Sequence, residues 1–200
     1  MSKRGLVIGI TGGISTGKST FSQLLQESSG ALRFDADHAA RVLVEEDAEV
    51  RAALRAEFGP EIFSATGNLN RPALRAIVFA EPEKKRALEK ILHPRIRHQW
   101  ATEANQSRLT GALFLADIPL LYETEGETLC DAVVVVACSA ALQQERLMRR
   151  GSLSLAQARA MISSQMPLSE KISRANHVAW NNGPLASLKE QADLLATLWS

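Results

Sequence analysis

The feature that most constrains the fold of this chain is the segment 8–20, which reads Ile-Gly-Ile-Thr-Gly-Gly-Ile-Ser-Thr-Gly-Lys-Ser-Thr. Residues 12–19 fit the pattern G-x-x-x-x-G-K-[ST], in which glycines let the backbone wrap an anion so that successive N–H groups point inward. A short apolar run precedes the pattern, and a helical periodicity follows it. The segment therefore predicts a strand, a phosphate-binding loop and a helix whose positive N-terminal end faces the same site.

Two side chains would supply the chemistry of this loop. Lys18 is expected to reach the β- and γ-phosphates of a bound nucleotide, and the Ser19 hydroxyl is expected to ligate Mg²⁺. The residues predicted to bind ATP here are Gly13, Ile14, Ser15, Thr16, Gly17, Lys18, Ser19 and Thr20. The alternative is a Gly-rich turn that merely precedes a helix, and the strand, the Lys-Ser pair and the helix in one register argue against it.

Composition and charge limit the class of protein and its expected partners and location. At 200 residues, 46% hydrophobic and 22% charged, the chain suits one globular domain with a full core. The net charge of +1 gives no broad field for nucleic acid or a membrane surface, so neither partner is expected. Cys130 and Cys138 form no disulfide framework, and no apolar stretch reaches the length of a membrane span. We therefore expect a reducing, cytoplasmic location.

The order of elements predicts the fold class. Short apolar strands are expected at 6–10, 31–34, 112–116, 132–137 and 177–180. Helical patterns alternate with them, which favours an α/β doubly wound parallel sheet of five strands. Between about residues 36 and 111 the pattern is mostly helical and exceeds an ordinary crossover, so it is interpreted as a substrate-binding lobe. Within this region Pro94 is expected to end or kink a long helix at His93.

Two aspartates follow predicted strands, at the edge where ligands of such sheets gather. Asp35 is expected one strand over from the phosphate loop, where it would accept or orient the proton of an acceptor hydroxyl. The alternative for Asp35 is a helix N-cap, although Asp37 fits that role better. Asp117 follows the run Leu-Phe-Leu-Ala, as in a Walker B strand, and would hold Mg²⁺ or else cap the next turn.

Basic residues downstream suggest a closing lid. Arg146, Arg149 and Arg150 share one helical surface beside Gly151, where they would neutralise a transferring phosphate. The alternative is an exposed, solvated helix face. His93 is either a ligand residue or a structural histidine at the predicted kink.

Together these residues match a known family. The matching stretches are 9–20, Asp35-Ala36-Asp37 with Ala40-Arg41, Arg71 with Leu74 and Val78-Phe79, Leu92-His93-Pro94, Pro119-Leu120-Leu121 with Glu123, Arg146 and Arg149, Gln165, and Asn181-Asn182-Gly183. The chain resembles the dephospho-coenzyme A kinase family from its first strand to its last helix. The phosphate loop is shared by many NTPases, whereas the order and spacing of Asp-Ala-Asp, Leu-His-Pro and Pro-Leu-Leu are far more specific.

The resemblance implies a fold and a reaction. The fold would be of the P-loop NTPase type, a doubly wound five-stranded sheet with a helical substrate-binding insertion and a lid. A single kinase domain over 1–200 would comprise a nucleotide core (about 5–37, 111–145 and 175–200), a helical CoA-binding lobe (about 38–110) and a lid (about 146–166). The reaction would be Mg²⁺-dependent transfer of the ATP γ-phosphoryl group to the ribose 3′-hydroxyl of dephospho-CoA, the last step of coenzyme A synthesis.

Residue roles follow from the same resemblance. Asp35 matches the family's proposed base and would also touch the acceptor. Arg146, together with Arg149 or Arg150, would contact phosphate or the adenine face. Arg146, Arg149 and Lys18 would be catalytic residues. Asn181 would lie near the ATP adenine.

The acceptor pocket and three departures from the family complete this expectation. His93 and Leu120 would border the acceptor. The family usually has Gly where Ser15 stands, so Ser15 must accept the loop's backbone conformation without the relief of a missing Cβ. Asn176 and Trp180 stand where the family often carries Asp, which bears on the adenine contacts.

Other functions fit parts of the pattern. The same loop could serve a kinase for another small hydroxyl metabolite or for a nucleoside monophosphate, because it says nothing about the acceptor. A nucleotide-dependent switch is a further alternative, although the Asn-Lys-x-Asp guanine motif of a GTPase is absent from the sequence. We expect a monomer or a weak homo-oligomer.

Overall fold

The computed structural model describes residues 4–64 and 66–199. The strands are β1 Val7–Gly12, β2 Leu32–Asp35, β3 Phe114–Asp117, β4 Ala132–Ala137 and β5 His177–Trp180. The helices are α1 Lys18–Ser29, α2 Ala36–Glu46, α3 Ala48–Phe58, α4 Arg71–Ala80, α5 Pro82–Thr110, α6 Ala140–Gly151, α7 Leu155–Ser163, α8 Leu168–Arg174 and α9 Leu185–Trp199, with 3₁₀ turns at Pro60–Ile62 and Gly126–Leu129. The described residues form two compact units. The first unit comprises those within Met1–Asp35 and Ala101–Ser200, and the second comprises those within Ala36–Trp100.

The first unit is built on one parallel sheet with the strand order β2-β3-β1-β4-β5. All six residues of β1 are buried, as expected for a central strand covered on both faces. The predicted α/β doubly wound sheet of five parallel strands is thus confirmed, with strand limits that differ by one or two residues at β1, β2 and β3.

Helices α1 and α9 cover part of this sheet. Phe21 and Leu25 of α1 and Leu188 and Ala192 of α9 are fully buried against strand residues such as Ile8. Gly30 ends α1 in the left-handed conformation, with φ 66°, as its position predicts. This packing fixes the direction of α1 and therefore the loop that precedes it.

The second unit is helical around its own core. Its buried apolar residues are Val44, Val50, Leu54, Phe58, Ile62, Phe63 and Leu74. Of the two alternatives for Pro94, a helix end is wrong, because α5 continues through it to Thr110, whereas a kink at His93 stays a prediction. Proline lacks the backbone N–H that would donate to the carbonyl oxygen of Lys90, four residues earlier in α5. A long helix tolerates that single loss.

The sequence after β4 predicts two helix caps, because Ser139 precedes a helical pattern and Ser154 stands three residues before Gln157. Both caps are present. Ser139 accepts a hydrogen bond from the Leu142 amide at the start of α6. Ser154 and Gln157 form the predicted capping box of α7. Helix α8 was not expected from the sequence, because seven residues show little periodicity. Among the described residues, none of the helices combines the length and apolar character needed to cross a bilayer.

Candidate active site

The phosphate loop occupies the turn between β1 and α1. Gly17, directly before α1, has φ 95°, and its carbonyl accepts the Phe21 amide (3.1 Å), so the helix begins at Lys18. The Thr16 hydroxyl donates to the Gly13 carbonyl (2.8 Å), which closes the turn. The first amides of a helix have no acceptor within the helix. They are therefore available to an anion lying in the loop.

Backbone conformation explains the glycine at position 17. Gly17 has a φ of 95°, which L side chains rarely adopt. A Cβ at Gly17 would lie 2.1 Å from Nδ2 of Asn181, and one at Gly13 would lie 2.5 Å from Nε2 of Gln143. The loop is thus packed against the ends of side chains from residues more than 120 positions later in the chain.

Ser15 has the conformation that its place in the loop demands. Its φ is 59°, in the left-handed region, as expected for a residue standing where the family usually has glycine. Its hydroxyl oxygen is buried and has no hydrogen-bond partner among the residues that the structure describes. Ser15 therefore carries both a backbone cost and an unsatisfied polar group.

Asp117 is the buried charge beside the loop. Its side chain is 0% exposed, and its carboxylate pairs with the Lys18 ammonium and, at 3.4 Å, with the Arg33 guanidinium. Arg33 also donates to the hydroxyl of Ser22 in α1 (3.3 Å). A buried carboxylate is stable only when it is paired. Since Lys18 is also the predicted phosphate ligand, Arg33 is the second cation that can keep Asp117 neutralised.

Asp35 lies at the same sheet edge but further from the loop than expected. It pairs in register with Asp117, and Asp117 in turn pairs with Ile10 of β1. The prediction that Asp35 is one strand over from the phosphate loop is wrong, because β3 lies between β2 and β1. Helix α2 also begins at Ala36, so Asp35, and not Asp37, directly precedes it.

Residues from the C-terminal half contact the phosphate loop through its carbonyls and one amide. Gln143 Nε2 donates to the Ile14 carbonyl (2.9 Å), and Gln165 Oε1 accepts the Ile14 amide (3.0 Å). Asn181 Nδ2 donates to the Thr16 carbonyl (2.9 Å). The loop is thus held from three later elements of the chain.

The arginines of α6 divide into two groups. The Arg146 guanidinium reaches the Thr16 carbonyl at 3.5 Å, whereas Arg149 and Arg150 are exposed. Burial raises the pKa of the nearby Cys138 thiol, and the positive charge and hydrogen bond of Arg146 oppose that rise. The structure therefore brings Arg146 and Asn181 to the loop and leaves Arg149 and Arg150 at the solvent-facing end of α6.

The two predicted acceptor residues belong to different segments of the chain. His93 is a half-buried residue of α5 in the helical unit, where burial lowers its pKa and Glu89 opposes that change. Leu120 follows β3 and is partly exposed. Their binding to an acceptor stays a prediction.

Several contacts in the site were not predicted from the sequence. They involve Arg33, Gln143 and Lys171, while Glu123 and Gln165 were noted only as part of the family pattern. A signal existed for Gln143, which lies three residues before Arg146 on α6 and so shares its face. The others offer no such local signal, since each reaches the site through tertiary contacts.

Hydroxyl and carboxylate oxygens are present at the phosphate loop and beside it. Within residues 4–64 and 66–199 no group of three or more His, Cys, Asp or Glu side chains could hold a metal ion. Ser19 is exposed in the first turn of α1, and Asp117 contacts its neighbour Lys18. Hydroxyl and carboxylate oxygens suit Mg²⁺, which usually needs only one or two protein ligands when phosphates supply others.

Comparison with known proteins identifies the family. A sequence model of the dephospho-CoA kinase family matches residues 6–187. The dephospho-CoA kinase of Anaeromyxobacter dehalogenans is 46% identical over 96% of this chain and 92% of its own length.

The chain belongs to the dephospho-CoA kinase family.

Solved structures agree with this membership. The dephospho-CoA kinase of Campylobacter jejuni has a TM-score of 0.71 at 26% identity, covering 96% of this chain and 95% of its own. A Thermus thermophilus protein has a TM-score of 0.79 at 34% identity, covering 99% and 100% of the two chains. The likeness extends over the five-stranded sheet and the helices around it, so the predicted family and fold are confirmed.

Proposed function

We propose that the chain transfers the γ-phosphoryl group of ATP to the ribose 3′-hydroxyl of dephospho-CoA, giving coenzyme A and ADP. The observation that carries this proposal is the dephospho-CoA kinase sequence model matched across residues 6–187. The phosphate loop between β1 and α1 supports it, because it combines free helix amides with an adjacent lysine.

Lys18 would change partners when ATP binds. Its ammonium pairs with the buried carboxylate of Asp117 in the structure. A triphosphate in the loop offers more negative charge, so the ammonium would turn to the β- and γ-phosphates. Asp117 would keep its pairing with Arg33, which avoids an uncompensated buried carboxylate. Because Arg33 stays with Asp117, Lys18 can bind the phosphates without leaving the buried carboxylate unpaired.

Asp35 would act on the acceptor hydroxyl. It ends β2 at the sheet edge where Asp117 ends β3, the edge at which ligands of parallel sheets collect. A carboxylate there would orient the 3′-hydroxyl and accept its proton as the phosphorus–oxygen bond forms. Positioning and charge neutralisation would supply most of the rate enhancement.

The C-terminal contacts would complete the nucleotide site. Arg146 and Asn181, which already touch the Thr16 carbonyl, would face the phosphates and the adenine side of ATP. Arg149 and Arg150 would join them through movement of a lid over about 146–166. Ser19, with Asp117 directly or through water, would hold Mg²⁺, which neutralises phosphate charge when it is bound.

The helical region would bind the CoA portion. We assign this role to about 38–110, with His93 and Leu120 at the acceptor. We also propose that the enzyme acts in the cytoplasm as a monomer or weak homo-oligomer and needs no nucleic acid or membrane. Its two cysteines are unpaired, which suits a reducing compartment.

A coupled assay of ADP release tests the proposal. The purified chain is incubated with ATP and Mg²⁺, with and without dephospho-CoA, and parallel reactions contain shikimate, gluconate or AMP. We expect ADP release to depend on dephospho-CoA and the product to be coenzyme A by mass spectrometry. Acceptor-independent hydrolysis, or faster turnover of another acceptor, would contradict the assignment.

A further inference from the structure

A buried lysine beneath the phosphate loop has no role in the mechanism above. The Lys171 side chain, on α8, is 0% exposed. Its ammonium donates to the carbonyl of Pro119 (2.9 Å) and the carboxylate of Glu123 (2.9 Å), and it reaches the carbonyl of Gly12 at 3.4 Å. Three acceptors thus match the three N–H groups of the ammonium, which makes its burial tolerable.

These acceptors lie where the two site-forming strands end. Gly12 is the last residue of β1 and the first of the phosphate loop. Pro119 comes two residues after Asp117, the partner of Lys18, and its carbonyl also accepts the hydroxyl of Thr11 in β1 (2.9 Å). A single cation therefore joins the start of the phosphate loop to the segment that leaves β3.

The same cation is connected to the predicted lid. Glu123 accepts the amide of Met166 (3.0 Å) in addition to the Lys171 ammonium. The preceding residue, Gln165, accepts the amide of Ile14 in the phosphate loop (3.0 Å). The connection between α7 and α8 is consequently tied to the loop at Ile14 and to the exit of β3 through Glu123.

The ion pair with Glu123 limits what the charge of Lys171 can do. Burial is the main cause that lowers its pKa, while its hydrogen bond to Glu123 raises it and the positive charge of Lys18 lowers it further. Because Glu123 neutralises the ammonium, Lys171 adds little net charge behind the loop and acts through its hydrogen bonds to the Gly12 and Pro119 carbonyls.

We propose that Lys171 is a positioning residue for phosphoryl transfer, which holds the Gly12 and Pro119 carbonyls so that the loop amides and Lys18 meet the ATP phosphates. This inference rests on the proposed kinase function. The alternative is a buried ion pair that only stabilises the fold. The two differ in what they demand of nucleotide binding, because a displaced phosphate loop weakens contacts to phosphate more than contacts to the acceptor. Of the residues assigned to the acceptor, Leu120 is the one that adjoins a group held by Lys171, the Pro119 carbonyl.

The test compares neutral substitutions. Lys171→Met removes the ammonium at similar length, and the double variant Lys171→Met/Glu123→Gln also removes the carboxylate, so that no buried charge loses its partner. Lys189→Met is the control, since Lys189 forms an exposed ion pair with Asp193 on α9. Steady-state kinetics are measured well below each variant's melting temperature, and calorimetry follows binding of a non-hydrolysable ATP analogue and of dephospho-CoA.

We expect kcat to fall about 10- to 100-fold in both Lys171 variants, as for a small displacement of reacting groups. Affinity for the ATP analogue should fall about fivefold or more, while affinity for dephospho-CoA stays within about twofold. The control should match the wild type. A lower melting temperature with unchanged kcat and ATP affinity would overturn the proposal, and so would equal losses for both ligands or failure of both variants to fold. If the wild type binds the analogue but does not phosphorylate dephospho-CoA, the proposed function fails, and analogue affinity still decides the role of Lys171.

Discussion

Replacing Ser15 by glycine should stabilise the protein. Ser15 has φ 59° and a buried hydroxyl without a partner in the described part of the chain. The left-handed conformation costs about 1–2 kcal/mol for a residue with a Cβ. An unsatisfied buried hydroxyl costs about 1–3 kcal/mol. Glycine itself lowers the free energy of unfolding by roughly 0.5–1 kcal/mol, because it gives the unfolded chain more conformational freedom.

We take the lower value of the range for each cost, that for the hydroxyl because the Ser15 residue as a whole is only partly buried. These values give a net gain of about 1–1.5 kcal/mol in the free energy of unfolding for Ser15→Gly. At roughly 2–4 °C per kcal/mol for a chain of this size, the melting temperature should rise by about 2–6 °C. Thermal and urea unfolding, followed by circular dichroism, measure both quantities.

Two further variants separate the causes. Ser15→Ala removes the hydroxyl but keeps the Cβ, so it should recover only the hydroxyl's share, about 1 kcal/mol. Ser152 has φ 49° but is exposed, so Ser152→Gly isolates the backbone effect and should gain at most about 0.5 kcal/mol. The reasoning is refuted if Ser15→Gly is no more stable than the wild type, or if Ser15→Ala gains nothing.

Three other predictions concern the reaction and the core. Lys18→Met should lower kcat by about 10²-fold or more, because a cation at the phosphates is lost. It should also destabilise the fold by about 1–3 kcal/mol, because the Asp117 carboxylate loses one of its two cationic partners and keeps Arg33. Steady-state kinetics and urea unfolding measure these effects, and normal turnover would contradict the role of Lys18. Asp35→Asn should reduce turnover about 10²–10⁴-fold with ATP affinity unchanged, whereas Asp37→Asn, the control, should not; equal effects would refute the base role. Burial raises the pKa of Cys130 from 9.0 to about 12, so iodoacetamide should label it slowly at pH 8 until the protein unfolds. Because this folded-state pKa lies above the unfolded value, the free energy of unfolding should fall as the pH rises from about 9 to about 12. Cys130→Ala is the control, and the prediction is wrong if the stability of the wild type falls no more steeply with pH than that of the variant.

Local chemistry made much of the fold predictable. The strand, loop and helix over 8–20 are specified by contiguous residues whose conformational needs are short-range, and all three are present. The same holds for the Ser139 cap and the Ser154–Gln157 capping box, which depend on residues three positions apart. Pro94 shows the limit of such reasoning, because a long helix continued through a local helix breaker.

The family, the fold class and the identity of the phosphate loop were thus determined by the sequence alone, since short motifs carry them. Tertiary structure alone decided that β3 lies between β1 and β2, which puts Asp117 beside Lys18 and Asp35 one strand beyond. It also decided that Lys171, more than 150 residues from Gly12, lies under the loop. Strand order and buried ion pairs depend on the balance of many distant contacts, and no spacing along the chain encodes that balance.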